Sequence, residues 1–185
     1  SMLGLQAVGF FGFADTMLAL WITIFLTNIK VRKMDILEDL GKSAFHKVHR
    51  IVIKETIILT IISFIIVGIS IVGLGIFVPM FLDKWIDGIA VAQIFMLILP
   101  LKVVNSYVTT VVKSPIVDKL LYSPLLQMAG VAILLTGTYA LKHYDLLSLM
   151  NFIYIDILAY AFVHISWLFV YYHDFYKPYV KKNIA

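Results

Sequence analysis

Long apolar runs separated by short charged connections dominate the chain. The longest run covers residues 56–82, where the 27 residues between Glu55 and Asp83 carry no formal charge. As an α-helix this run would extend about 40 Å, which exceeds the ~30 Å hydrocarbon core of a bilayer. Because backbone N–H and C=O groups find no water in that core, the run has to be helical. The pattern predicts a membrane-spanning helix against which the other helices pack.

Four further apolar segments are long enough to cross a bilayer, since about 20 residues suffice. The pattern predicts five spans, at residues 5–29, 56–82, 88–112, 120–141 and 146–172. Hydrophobic residues make up 62% of the chain, well above the ~45–50% of globular domains. We therefore expect an all-α, polytopic integral membrane protein in which residues 1–185 form a single membrane domain.

The connection between the first two spans has a helical pattern of its own. Apolar side chains recur there at helical spacing, at Leu37, Leu40, Ala44, Val48 and Ile51. We expect an amphipathic cytoplasmic helix over residues 34–50, which lies in the headgroup region or extends the second span. A solvated connecting helix is the alternative.

The distribution of basic residues adds an orientation to this picture. If residues 30–54, residues 113–119 and the C-terminus lie on one side, that side holds 12 of the 15 Lys and Arg residues. Basic connections mark the cytoplasmic side of a membrane. We expect a protein of the cell (cytoplasmic) membrane with its N-terminus outside and its C-terminus in the cytoplasm. Membrane lipids are the expected partners, and the basic loops do not indicate nucleic acid.

Three ionisable side chains fall within predicted spans, where charged groups are costly and normally face a partner or a water-filled cavity. They are Asp15, Lys102 and Asp156. Lys102 is a candidate to bind an anionic headgroup, and the two carboxylates are candidates to couple transport to a proton or cation. The alternative is that all three only hold helices together.

His164 follows Asp156 by eight residues, so the two side chains lie on one side of a helix, two turns apart. A proton relay through both residues is one hypothesis. A histidine hydrogen-bonded to a neighbouring helix is the other. Pro100 is expected to kink the third span just before Lys102 and to free a carbonyl there.

Enzyme and metal motifs are missing from the sequence, which has no HExxH, P-loop, G-x-S-x-G or dinucleotide fingerprint. His46 and His49 are three residues apart, but two ligands without a third do not make a zinc site. The lack of cysteine excludes thiolate ligands. We expect no catalytic residues, no metal and no cofactor.

Two stretches carry a resemblance to a known family. The first span contains GFFGFADTMLALWITIFL, and after a basic connection the second span ends in VPMFLDKWIDGIAVAQIFMLILPLKVVNSYVTTVV. Their order resembles the C-terminal part of polysaccharide flippases of the multidrug/oligosaccharidyl-lipid/polysaccharide exporter superfamily. The positions comparable to that family's motifs are Gly12, Phe13, Ala14, Pro79, Phe81, Leu82, Trp85 and Asn105.

The resemblance implies translocation of lipid-linked oligosaccharide or polysaccharide precursors by alternating access between two helical lobes. Lys102 would bind the lipid diphosphate, and Asn105 is the second substrate-binding candidate in the same span. Five helices cannot form two lobes by themselves. The chain would therefore be a fragment, a shortened relative, or half of an assembly that a second copy or an N-terminal helical lobe completes.

Two other functions stay open from the sequence. If the protein is a small structural or regulatory membrane subunit, neutralising Lys102 should change assembly but not transport. If it is an intramembrane lipid-modifying enzyme, Asp15, Asp156 and His164 should converge in one pocket.

Overall fold

The computed structural model describes residues 4–183, and all regular elements in that range are helical. The six α-helices are α1 (Leu5–Gly41), α2 (Phe45–Phe81), α3 (Ile89–Phe95), α4 (Ile98–Val112), α5 (Tyr122–His143) and α6 (Leu149–Tyr171). A 3₁₀ turn, Asp83–Gly88, precedes α3, while a π-helical turn, Tyr172–Val180, and a final 3₁₀ turn, Lys181–Asn183, continue α6.

Five helical stretches are long and apolar enough to cross a membrane. They are Ala7–Thr27, Phe45–Phe81, Lys84–Val112, Tyr122–His143 and Leu149–Val180. The prediction of an all-α, polytopic membrane protein with five spans is confirmed.

The connection over residues 34–50 is helical, and its second part extends the second span as one form of the prediction has it, but it is not a single helix. Residues 34–41 are the end of α1 and residues 45–50 are the start of α2, so the two helices form one long hairpin. Its turn is closed by the Ala44 N–H, which donates to the Asp39 carbonyl (3.0 Å). The helical spacing of apolar residues continues across the turn because both arms bury a face in the same core. The fully buried apolar side chains near the turn are those of Ile36 and Leu40 in α1 and of Val48 and Val52 in α2.

The helix at the centre of the bundle is α4 and not, as the apolar pattern predicts, the long second span. Ten of the 15 residues of α4 are buried, against seven of the 37 in α2. Helix α4 packs against α1, α2 and α6. Lipid tails are as apolar as leucine, so an unbroken apolar run shows that a helix crosses the bilayer but not that it lies in the middle of the protein.

The third span is interrupted before Pro100 and not at it. Helix α3 ends at Phe95 and α4 begins at Ile98. Pro100 thus lies in the first turn of α4, where its missing N–H leaves no helical bond unmade. The Met96 carbonyl is not freed, because it accepts from the Leu99 N–H (3.0 Å).

The basic connections come together at one end of the bundle. The Phe45 ring packs on the rings of Phe175 (6.2 Å between centroids) and Tyr179 (5.0 Å). The Tyr179 hydroxyl donates to the Ile116 carbonyl (3.3 Å). We call this end, formed by residues 30–54, 113–121 and 172–183, the basic end. The side of the membrane that it faces stays a prediction.

Helix α5 lies at the edge of the bundle and packs mainly on α6. Two glycines let these helices approach closely. A Cβ atom at Gly130 would lie 2.9 Å from Val163 Cγ2, and one at Gly137 would lie 2.6 Å from Ile155 Cγ2. Gly130 is the one buried residue of α5. The helix therefore leaves a gap on the side that faces α4.

Candidate functional site

A groove of about 540 Å³ lies between α4 and α5, with α6 as its floor. Its size falls in the range of about 300–1,000 Å³ that is typical of small-molecule sites. Because α5 packs mainly on α6, the groove opens sideways between α4 and α5. Polar side chains of both walls and apolar side chains of α5 and α6 line it.

Lys102 lines the groove from α4 and Asp156 lines it from α6, so the two charged groups lie within two different spans. The Lys102 ammonium lies 4.9 Å from the centre of the Tyr160 ring, a cation–π contact. Lys102 and Asp156 are close enough for their charges to interact. The ion pairs formed within residues 4–183 do not include either of them. Charged groups inside a membrane need a partner or water, and an open polar groove provides access for both.

Asn105 joins α4 to α6 at the floor of the groove. Its Nδ2 donates to the His164 carbonyl (3.0 Å) and to His164 Nδ1. Donation to Nδ1 requires an imidazole that carries its proton on Nε2. His164 is thus hydrogen-bonded to a neighbouring helix, as one of the two hypotheses expects, and Asn105 is its partner. His164 also lines the groove. Asn105 is only 3% exposed, and its Oδ1 finds no hydrogen-bond partner in the described part of the chain.

Asp15 does not line the groove. Its side chain is exposed on α1, whereas Asp156 is half-buried on α6. The rings of Phe11 and Phe152, one turn earlier on the two helices, are 5.9 Å apart. This contact places the two carboxylates at a similar level, and their charges interact. Of the predicted site residues, the structure brings Lys102, Asn105, Asp156 and His164 into the groove and leaves Asp15 on the outside.

Two lysines that sequence reasoning treated only as loop charges also line the groove. Lys33 comes from α1 and Lys113 follows the last residue of α4, both at the basic end. The Lys113 ammonium lies 5.2 Å from the centre of the Trp167 ring. Burial lowers the pKa of both ammonium groups, and the charge of Lys113 lowers the pKa of Lys33 further. Their positions in two distant connections gave no sign that they would meet.

Comparison of the chain with known protein families, with curated proteins and with solved structures finds no match in any of the three. The chain is a helical membrane protein with several spans. A more specific function has to be argued from the groove and from the resemblance of the motifs.

Proposed function

We propose that the protein is part of a transporter that moves lipid-linked oligosaccharide or polysaccharide precursors across the membrane, with the groove as the substrate-binding site. The observation that carries this proposal is the Lys102 ammonium, which lies in the groove without an ion-pair partner among residues 4–183. A lipid diphosphate is the kind of anion that such a cation attracts.

The chemistry of the groove suits an amphipathic substrate. The sideways opening between α4 and α5 would let an apolar tail stay in lipid while the polar part enters. The amides of Asn105 and Gln127 and the hydroxyl of Ser106 also line the cavity. The Gln127 amide and the Ser106 hydroxyl can hydrogen-bond to sugar hydroxyls, whereas Asn105 Nδ2 already donates to two atoms of His164. Asp156 and His164 remain the candidates for proton or cation coupling, since both line the groove beside Lys102.

This proposal requires a second half that encloses the open side of the groove. Alternating access needs two lobes that move against each other, and a single five-span bundle provides one wall of such a cavity. The partner would be a second copy of the chain or a further helical lobe. Native mass spectrometry from mild detergent, with retained lipids, distinguishes a dimer or a complex with a lipid-diphosphate sugar from a bare monomer.

The test is transport in proteoliposomes that contain a fluorescent polyprenyl-diphosphate sugar. The rate is followed as protection of the fluorophore from a membrane-impermeant reductant, and binding is measured on the same samples by native mass spectrometry. We expect Lys102→Gln to reduce both binding and transport at least about tenfold, because a charged hydrogen bond contributes about 1.5–3 kcal/mol. Lys84→Gln removes the same charge outside the groove and should have no effect. Equal activity of Lys102→Gln and Lys84→Gln would refute the proposal.

The structural-subunit hypothesis is the second candidate, and the bonds from Asn105 to His164 favour it, because they show polar groups that hold two helices together. It predicts that Lys102→Gln alters assembly while transport is unaffected. The enzyme hypothesis needs Asp15 in the same pocket as Asp156 and His164, and Asp15 lies outside the groove.

A further inference from the structure

The two lysines at the basic end of the groove, Lys33 and Lys113, form no ion pair with a carboxylate of residues 4–183. Several acidic groups at this end pair with other basic residues, and Arg32 pairs with Asp35 (3.3 Å) and with Glu55 (3.7 Å). Glu38 and Asp39 at the end of α1 bind Lys42 and Lys47. Ion pairs within the described residues 4–183 therefore leave both Lys33 and Lys113 uncompensated.

The two ammonium groups are partly buried and repel each other, and this favours the binding of an anion. Burial lowers the pKa of Lys33 and of Lys113, and the repulsion from Lys113 lowers the pKa of Lys33 further. Each effect reports a cost of keeping these ammonium groups charged. An anion between them would offset both the repulsion and the loss of solvation.

The depth of the two lysines matches the headgroup region of a bilayer. The first span ends at Thr27 and the third at Val112, so Lys33 and Lys113 lie just beyond the apolar parts of their helices. Trp167, whose ring is 5.2 Å from the Lys113 ammonium, is of the residue type that is enriched at this interface. Lys102 lies eleven residues earlier in the sequence than Lys113, about 16 Å deeper along α4.

The rest of this part of the groove suits an acyl chain and a phosphate. Toward the bilayer centre, Val131, Leu134 and Val163 are among the residues that line the groove, and it opens sideways. At the level of the lysines, Ser123 lines it from the start of α5. Its hydroxyl is a donor that can complete a phosphate site with two ammonium groups.

We propose that Lys33, Lys113 and Ser123 bind the phosphate of an anionic phospholipid from the leaflet at the basic end, and that one of its acyl chains lies in the groove between α4 and α5. The phosphate position lies about 16 Å along α4 from Lys102 in the same groove, and it does not depend on a transported substrate. A phospholipid is favoured over a soluble anion because the lysines lie at headgroup level and the groove next to them opens to lipid, with Val131, Leu134 and Val163 in its lining.

Tryptophan quenching by brominated lipids provides the test. In a Trp21→Phe/Trp85→Phe background, Trp167 is the sole tryptophan and reports contact with bromine on an acyl chain. Nanodiscs of zwitterionic phosphatidylcholine receive either brominated phosphatidylglycerol or brominated phosphatidylcholine at the same mole fraction. The charge-removing variant is Lys33→Gln/Lys113→Gln. Lys84→Gln/Lys142→Gln removes the same charge at the other end of the bundle, and Lys33→Arg/Lys113→Arg keeps the charge.

We expect phosphatidylglycerol to quench Trp167 at a lower mole fraction than phosphatidylcholine. Each lysine near an anionic surface changes the affinity about fivefold, so the double Gln variant should lose about thirtyfold of this preference. The Lys84/Lys142 control and the Arg variant should retain it. Equal quenching by the two lipids in the parent protein, or the same loss in the Lys84/Lys142 control, would overturn the proposal.

A further experiment distinguishes a phospholipid phosphate from a soluble phosphate ion. Inorganic phosphate is added to the nanodiscs, with sodium chloride at matched ionic strength as its control. We expect the two salts to weaken the phosphatidylglycerol preference equally, by screening. A specific displacement by inorganic phosphate would show that the site binds a soluble anion, and the lipid proposal would then fail.

Discussion

Asn105→Ala tests the polar link between α4 and α6. The substitution removes two hydrogen bonds from Asn105 Nδ2, one to the His164 carbonyl (3.0 Å) and one to His164 Nδ1. Hydrogen bonds between membrane helices average about 0.6 kcal/mol, with a maximum of about 1.7. Two such bonds give a loss of about 1–3 kcal/mol in the free energy of unfolding. The change also creates a small cavity, because Asn105 is buried, and this places the expected loss in the upper half of that range.

A double-mutant cycle with His164→Phe separates the two bonds. His164→Phe removes Nδ1 but leaves the backbone carbonyl as an acceptor, so the coupling energy should equal one hydrogen bond, about 0.6–1.7 kcal/mol. The free energy of unfolding is measured by equilibrium titration with dodecyl sulfate in mixed micelles, followed by circular dichroism. Thr138→Val is the control, because its hydroxyl only donates to the Leu134 carbonyl in its own helix.

Two results would refute this reasoning. Asn105→Ala could cost no more than Thr138→Val, which we expect to stay within about 0.5 kcal/mol of the parent. Alternatively, Asn105→Ala and His164→Phe could prove additive. The first result would mean that the link between α4 and α6 is not energetically significant, and the second would mean that the bond to His164 Nδ1 is not.

Two further predictions concern other parts of the bundle. Gly137→Ala should lower the free energy of unfolding by about 1–3 kcal/mol through overpacking against α6, whereas Gly68→Ala, with nothing within 4 Å of the new Cβ, should raise it by up to about 1 kcal/mol. The same titration measures both. Lys33→Gln should stabilise the protein in neutral detergent at pH 7, because the lowered pKa of Lys33 means that its protonated form is disfavoured in the folded state. The unfolded state then binds more protons, so stability rises with pH, and the advantage of Lys33→Gln should disappear as the pH approaches the unperturbed value of 10.5. An advantage that does not change with pH would contradict the electrostatic cause.

The five spans and the all-α class follow from information that is local in the sequence. An apolar run of sufficient length has to form a helix in lipid, whichever helices lie beside it. The depths of Lys102 and Asp156 within their spans are local in the same way. The groove itself is not, since it depends on which helices become neighbours. Lys33 and Lys113 belong to two separate connections, and nothing in the sequence of either connection shows that both side chains line the same groove.

The turn between α1 and α2 was missed although a signal for it exists. Gly41 precedes Lys42 and Ser43, and glycine followed by polar residues is a common helix stop. The helical spacing on both sides of this turn predicted one helix because each arm buries its own apolar stripe. Periodicity reports which face is buried, but it does not report whether the chain has reversed direction.

The position of α5 determines how the bundle loosens. Its contacts are mainly with one neighbour, through the close approaches at Gly130 and Gly137, whereas α4 is surrounded by three helices. The free energy of unfolding is therefore distributed unevenly, and separating α5 exposes few side chains that are buried in the core. We expect partial opening along this edge to cost less than disruption of α4 and to widen the groove that holds Lys102. The width of the candidate binding site would then vary more readily than the packing around α4.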